Sequence, residues 1–226
     1  MTPGELYADV RVRIDGLVRD LPEEQTTREV PGCPGWTVHD VVAHVTGIVA
    51  DLNAGRLDGA ATDPWTQAQV ASRRDAKTND VLDEWAREAE PFERMLDTAP
   101  KGLSRTLTID LVTHEHDLRG ALGVPGGRDS EAYVVARKGF AVGLAHALKE
   151  RGLPALRLEA PDFQFETAED PPVTLRVDDS FELFRALAGR RGRAQVLAYD
   201  WSGDPAPYLP VINHFGALPE DDVVEG

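Results

Sequence analysis

One cysteine, Cys33, stands in 226 residues. A single thiol excludes an internal disulfide framework and a cysteine-based zinc ribbon. No apolar stretch approaches the roughly 20 residues that a membrane-spanning helix needs. The N-terminus, MTPGELYADV, lacks a charged start followed by an apolar run, so no secretory signal is expected and the cytoplasm is the expected location. Basic residues are scarce as well: 24 Lys and Arg face 39 Asp and Glu, for a net charge of −15. A nucleic-acid partner needs a basic surface that displaces counterions from phosphate, and this chain has none in prospect. The same charge argues against docking on anionic lipid. Internal repeats and low-complexity segments are absent.

What is present is an ordinary globular composition, 42% hydrophobic and 28% charged, in a chain long enough for one large or two small cores. Helical periodicity dominates up to about residue 152. Strand-like alternation follows in Ala155 to Ala160, Phe163 to Thr167 and Val173 to Asp178. The expected organisation is therefore mainly α: a helical bundle over 1–152 and a small α+β domain over 153–226.

Thr2-Pro3-Gly4-Glu5 reads as a capping box with Pro at the first helical position, and Leu6, Val10, Ile14 and Val18 then recur at helical spacing until Pro22. Residues 22–36 read as loop, ending in Pro31-Gly32-Cys33-Pro34-Gly35-Trp36, where Trp36 is expected to anchor the core and Cys33 to be structural or incidental. Thr37 and Asp40 open a second helix with Val38, Val41, Val42, Val45, Ile48 and Val49 inward. His44 lies at the edge of that stripe, and His39 lies far round the wheel, where solvent is expected. A short helix from Trp65 to Asp75 carries Arg73 and Arg74. Asn79 is placed to cap the next helix, which Pro91 should kink or split. Ser130 begins a last long helix through Leu148. Beyond the strands, Asp179 or Ser180 caps a helix to Ala188, Ala194 to Trp201 reads as helix, and the Pro- and acid-rich tail is expected to wrap the surface.

The informative stretch is Thr106 to Gly123, TLTIDLVTHEHDLRGALG. Asp110 precedes His114 by four residues, so on a helix the two share a face one turn apart. Metal sites use that spacing to aim an oxygen and a nitrogen at one point. A local hydrogen bond or salt bridge uses it as well. Leu107, Leu111, Leu118 and Ala121 share the inward half of the wheel with Asp110 and His114, whereas Ile109 and His116 point the other way. Asp117 is near enough to His114 to orient its ring. Two ligands rarely hold a catalytic metal, and His44 is the best candidate for a third.

Three segments taken together carry a resemblance: Cys33-Pro34-Gly35-Trp36-Thr37-Val38; Val42-Ala43-His44-Val45-Thr46-Gly47; and Asp110 to Gly123 with its His-x-x-Asp-Leu. The chain resembles the mycothiol-dependent maleylpyruvate isomerase family, within the wider DinB-like group of metal-binding helix bundles. The run from Phe181-Glu182-Leu183-Phe184-Arg185 to Gly189-Arg190-Arg191, with Tyr199-Asp200-Trp201, is similar to the C-terminal part of its actinobacterial members. The resemblance implies a DinB-like four-helix bundle and a divalent metal, usually Zn2+, held by His44, Asp110 and His114. Asp110 stands where the family usually has the longer Glu, and His116 where it usually has Trp.

Three protein ligands with an open position describe a catalytic site. A thiol with a pKa near ~8.5 is mostly protonated at neutral pH, and a metal favours its thiolate. With that chemistry, the resemblance implies a zinc- and mycothiol-dependent isomerase or S-transferase, whose partners are a small-molecule thiol and an electrophilic small molecule, in a monomer or homodimer. Arg73, Arg74 and Arg185 are the candidate donors to an anionic cofactor or substrate, Arg185 first because it sits in an otherwise apolar helix. The alternatives are a non-catalytic ligand- or partner-binding bundle with a vestigial metal site, and a zinc-dependent hydrolase.

Overall fold

A computed structural model describes residues 1–225. Among them are nine helices: α1 (Pro3–Val18), α2 (Glu23–Thr26), α3 (Val38–Asn53), α4 (Asp63–Ala71), α5 (Thr78–Thr98), α6 (Lys101–Leu122), α7 (Glu131–Glu150), α8 (Ser180–Leu187) and α9 (Arg193–Leu197). The strands are β1 (Leu156–Ala160), β2 (Phe163–Glu166), β3 (Val173–Arg176) and β4 (Asp200–Trp201). The chain divides into two compact units, the first formed by Met1–Tyr133 together with Glu225 and the second by Val134–Val224. The division falls inside α7, upstream of the change in composition near residue 152.

In the first unit, α1 and α3 each pack against both α5 and α6, which closes a four-helix ring; α4 lies on the outside of α3. The helix starts follow the local chemistry read from the sequence. Thr2 accepts from Glu5 N–H and Glu5 answers to the Thr2 backbone, while Thr37 and Asp40 form the same reciprocal pair at the start of α3. The loop before α3 contains one unexpected turn of helix, α2, and no side chain caps it. Helix α5 is capped at Lys77 rather than Asn79. It also runs unbroken through Pro91. That residue is exposed, so water can satisfy the carbonyl its missing N–H leaves behind.

Helix α6 is buried on every side between Leu111 and Leu118. Its position in the ring gives it no solvent face there, so Ile109 and His116, placed outward by the helical wheel, are 7% and 2% exposed. Glu115 is fully buried too, and its carboxylate is held by Arg13 (2.8 Å to each oxygen) and by Arg119 (2.9 and 3.0 Å). A buried carboxylate persists because it is paired and hydrogen-bonded on both oxygens.

The second unit contains a four-stranded sheet in the order β2-β1-β3-β4. β1 is antiparallel to β2, with Leu158 opposite Phe165, and parallel to β3, with Leu158 opposite Leu175. Leu156, Leu158 and Leu175 point inward with Leu183 and Phe184 of α8. Asp179 caps α8 through Phe181 N–H. The segment read as helix to Trp201 stops at Leu197 and becomes strand β4. The tail does not merely wrap the surface. Tyr208, Leu209, Val211 and Ile212 are buried, and the Tyr208 hydroxyl donates to Ala155 O at 3.1 Å.

Candidate metal centre

The centre lies in the first unit, between α3 and α6. The capped start of α3 fixes its phase, and that phase puts His44 inside the ring at 6% exposure. The i,i+4 spacing on α6 presents Asp110 and His114 to the same place, with Asp110 Oδ1 3.7 Å from His114 Nε2. The rings of His44 and His114 meet edge to face, with centroids 5.2 Å apart. One donor atom from each of His44, Asp110 and His114 lies within 4.8 Å of the others.

Each imidazole is held by its far nitrogen. Gln69 Oε1 of α4 lies 2.9 Å from His44 Nδ1. Asp117 Oδ2 lies 3.1 Å from His114 Nδ1. The opposite nitrogen, Nε2, is left to each ring for the common point. This is the arrangement by which an outer hydrogen bond orients a metal-binding imidazole. Bonds of about 2.0–2.2 Å to nitrogen and oxygen put tetrahedral donors about 3.3–3.6 Å apart, so the 3.7 Å pair fits, and the remaining pairs lie no farther apart than 4.8 Å. The residues present therefore suit a divalent cation of the zinc type, with two neutral imidazoles and one carboxylate. Among the described residues His116 belongs to no such group. Its ring packs edge-on to Tyr133 at 5.5 Å.

The electrostatics separate the two histidines. Burial, reinforced by the charge on His114, pushes His44 down to about 4, so its ring is neutral at pH 7. Burial also pushes His114 down, but Asp110 on one side and Asp117 with Cys33 on the other outweigh it and hold the ring up at about 10. In the metal-free protein the proton on His114 thus occupies the position toward Asp110 that a cation would take.

The loop before α3 closes the centre. Cys33-Pro34-Gly35-Trp36 is a turn in which Trp36 N–H donates to Cys33 O at 3.0 Å. Pro34 leads it, and Gly35 at φ +80° supplies the left-handed residue that a type II turn requires. The turn sets Cys33 and Trp36 over α6. Trp36 is only half-buried, and its ring lies 5.1 Å from that of His44 and 6.4 Å from that of His114. It walls the centre rather than anchoring the core. Cys33 is not incidental: its Sγ lies 3.3 Å from Asp117 Oδ2 and 3.9 Å from His114 Nδ1. Asp117 accepts from both the thiol and the imidazole, so these contacts read as a hydrogen-bonded buttress behind His114. Nothing in the sequence pattern linked Cys33 to Asp117, because loop geometry alone brings them together.

The three candidate arginines occupy other places. Arg73 lies past the end of α4, where it pairs with Glu84 and donates to Gln69 O at 3.1 Å. Arg74 is exposed at the edge of a cavity of about 760 Å³ that His39, Asp40 and Thr78 also line. That cavity is lined by none of the three converging donors. His39, expected in solvent, sits 2.9 Å from Thr78 Oγ1 and 3.1 Å from Arg73 O. Arg185 is fully buried in the second unit, its guanidinium 5.9 Å from the Phe181 ring centroid. Among the described residues no helix is long and apolar enough to cross a membrane.

Residues 7–119 match the family model described as the mycothiol maleylpyruvate isomerase N-terminal domain. That span contains all three converging donors. Two solved structures share the fold. The crystal structure of the mycothiol-dependent maleylpyruvate isomerase aligns with a TM-score of 0.61, and that of a mutant of it with 0.60. In both, identity is 14%, with 91% of this chain and 94% of the other covered. No curated protein sequence matches the chain. At this identity the structural likeness speaks for the fold, a mainly helical bundle followed by a small sheet-containing part.

Proposed function

This chain belongs to the mycothiol maleylpyruvate isomerase N-terminal domain family, and on that premise we propose that it is a divalent-metal enzyme acting with a small thiol, mycothiol, on an electrophilic small molecule. The reaction is isomerisation or S-transfer. The observation that carries the reading is the convergence of His44, Asp110 and His114 from two helices on one point.

His44 and His114 would hold the metal through Nε2, and Asp110 through a carboxylate oxygen. A divalent cation held there supplies positive charge that favours the thiolate of a bound thiol, and so its nucleophilicity at neutral pH. The chain's own residues do the rest. Asp117 holds the His114 ring in place and Trp36 shields both imidazoles from one side. Asp110 is the member of the set that water reaches, with a side chain 27% exposed against 8% for His114. Small molecules therefore approach from the Asp110 side. Of the candidate arginines Arg74 alone is exposed, at a cavity that none of the three donors lines, and Arg73 is committed to Glu84.

Protein expressed and purified without added metal is to be analysed for bound metal, then assayed for thiol-dependent conversion of maleylpyruvate with mycothiol. About one equivalent of divalent metal, lost in both His44→Ala and His114→Ala, is expected. Retention of metal in both variants, or no uptake by wild type at micromolar zinc, refutes the site. A second reading, a bundle that binds without catalysis, is favoured by Asp110, whose carboxylate reaches one methylene less far than Glu. It predicts weak or no metal uptake and no thiol-dependent turnover.

A further inference from the structure

We propose that Gln69 is a positioning residue that selects the tautomer of His44, through a relay that begins at Asp51. The proposal rests on the reading of His44 as a metal ligand for its purpose, though not for its geometry. Gln69 is 3% exposed, on the face of α4 that packs against α3. Its amide Nε2 donates to Asp51 Oδ2 at 2.9 Å, and its Oε1 lies 2.9 Å from His44 Nδ1.

The order of donors follows from what each group can do. A carboxylate accepts and does not donate, so the Gln69 –NH2 must face Asp51 and its carbonyl oxygen must face His44. That oxygen accepts only, so His44 must present Nδ1–H to it. A neutral imidazole carries one N–H, and the lone pair is then left on Nε2, the nitrogen that Gln69 leaves open for a cation shared with Asp110 and His114. With the opposite tautomer, Nε2 would carry hydrogen and could not bind a cation. Asp51 is itself fixed by Arg56, whose Nε donates to Oδ1 at 2.8 Å. Room for the relay is made by Gly47 on α3. A Cβ there would lie 2.5 Å from Gln69 Cβ and 2.6 Å from Cγ. A glycine in the middle of a helix costs stability relative to Ala, and here it admits the Gln69 side chain beside His44.

The test reads the tautomer directly, by long-range 1H–15N NMR of metal-free protein at pH 7, together with the zinc Kd from chelator competition. Wild type is expected to show His44 protonated at Nδ1 and bare at Nε2. Gln69→Ala is expected to populate the Nε2–H form and to weaken zinc binding by about 10–100-fold. The exchanged pair Gln69→Glu with Asp51→Asn restores one donor and one acceptor in reversed places, and should recover both the tautomer and the Kd to within about threefold. A merely structural role for Gln69 would not predict that recovery. The proposal is overturned if Gln69→Ala leaves tautomer and affinity unchanged, or if a folded exchanged pair recovers neither. If wild type takes up no zinc yet Gln69→Ala still shifts the tautomer, the metal reading fails and the relay stands.

Discussion

Zinc uptake should release one proton, and the affinity should climb tenfold with each pH unit from 5 to 7. The reason is the opposed state of the two imidazoles. His44, pushed down to about 4 by burial and by its charged neighbour, carries no proton in that range and needs to lose none. His114, held up at about 10, carries one throughout and must lose it before Nε2 can bind. At pH 7 that competition weakens binding by about three powers of ten relative to the fully deprotonated site. The range stops at pH 7 because water on zinc can itself ionise near ~7 and add a second proton. Calorimetry in buffers of different ionisation enthalpy gives the proton count, and chelator competition gives the slope. Two ordinary imidazoles would behave differently. Each would be protonated below its pKa of ~6.5, so the slope would approach two near pH 5 and flatten above 6.5. A curve of that shape refutes the assignment. Asp117→Asn, which removes one of the groups holding the proton on His114, should bring the flattening down toward neutral pH.

Three further outcomes follow from the geometry. Glu115→Ala leaves Arg13 and Arg119 without the carboxylate they share, and should cost about 3–5 kcal/mol in urea unfolding; a loss below about 1 kcal/mol would show the cluster to be dispensable. His116→Ala should retain the metal, because that ring faces Tyr133, yet lower stability by opening a buried hole; zinc loss with His116 and not with His114 would mean that the phase of α6 is misassigned. Gly47→Ala should cost about 1–3 kcal/mol by overpacking and weaken zinc binding as Gln69→Ala does, whereas an unchanged Kd would show that Gln69 can move aside without consequence.

Much of this was legible because it is local. The capping box at Thr2 and the cap at Thr37 set the phase of α1 and α3, and the i,i+4 spacing of Asp110 and His114 fixed their common face whatever packed against it. The pairing with His44 was legible only as a choice among few candidates, helped by the resemblance of its segment. What failed depended on tertiary surroundings. A helical wheel assumes one solvent face, and α6 has none along Leu111 to Leu118, so His116 is buried where a surface was expected. Pro91 did not break α5 because it falls on an exposed turn. Gln69 carried no pattern of its own, and Cys33, inside a segment that carries the resemblance, gave no sign of its contact with Asp117. Each reaches the centre from a separate segment, and the one signal that pointed toward Gln69 was a glycine in the middle of α3.

The way the centre is supported bears on how it would work with the shorter acid. His44 is fixed by Gln69 from α4, and His114 is fixed by Asp117 from its own helix with Cys33 behind it. Both imidazoles are therefore held on rigid rods, each by an outer partner that is itself held. Asp110 is the exception: it is the most exposed of the three, and its carboxylate is 3.7 Å from His114 Nε2. The side chain with the least reach is thus also the one with the most freedom. Such a site holds its nitrogens fixed and its oxygen loosely, which leaves room beside Asp110 for an incoming thiol. Asp110→Glu tests that balance. The added methylene should tighten zinc binding, and if the open position matters for turnover it should slow the thiol-dependent reaction at the same time. Tighter binding with faster turnover would show instead that Asp110 marks a site in decline, which the longer side chain repairs.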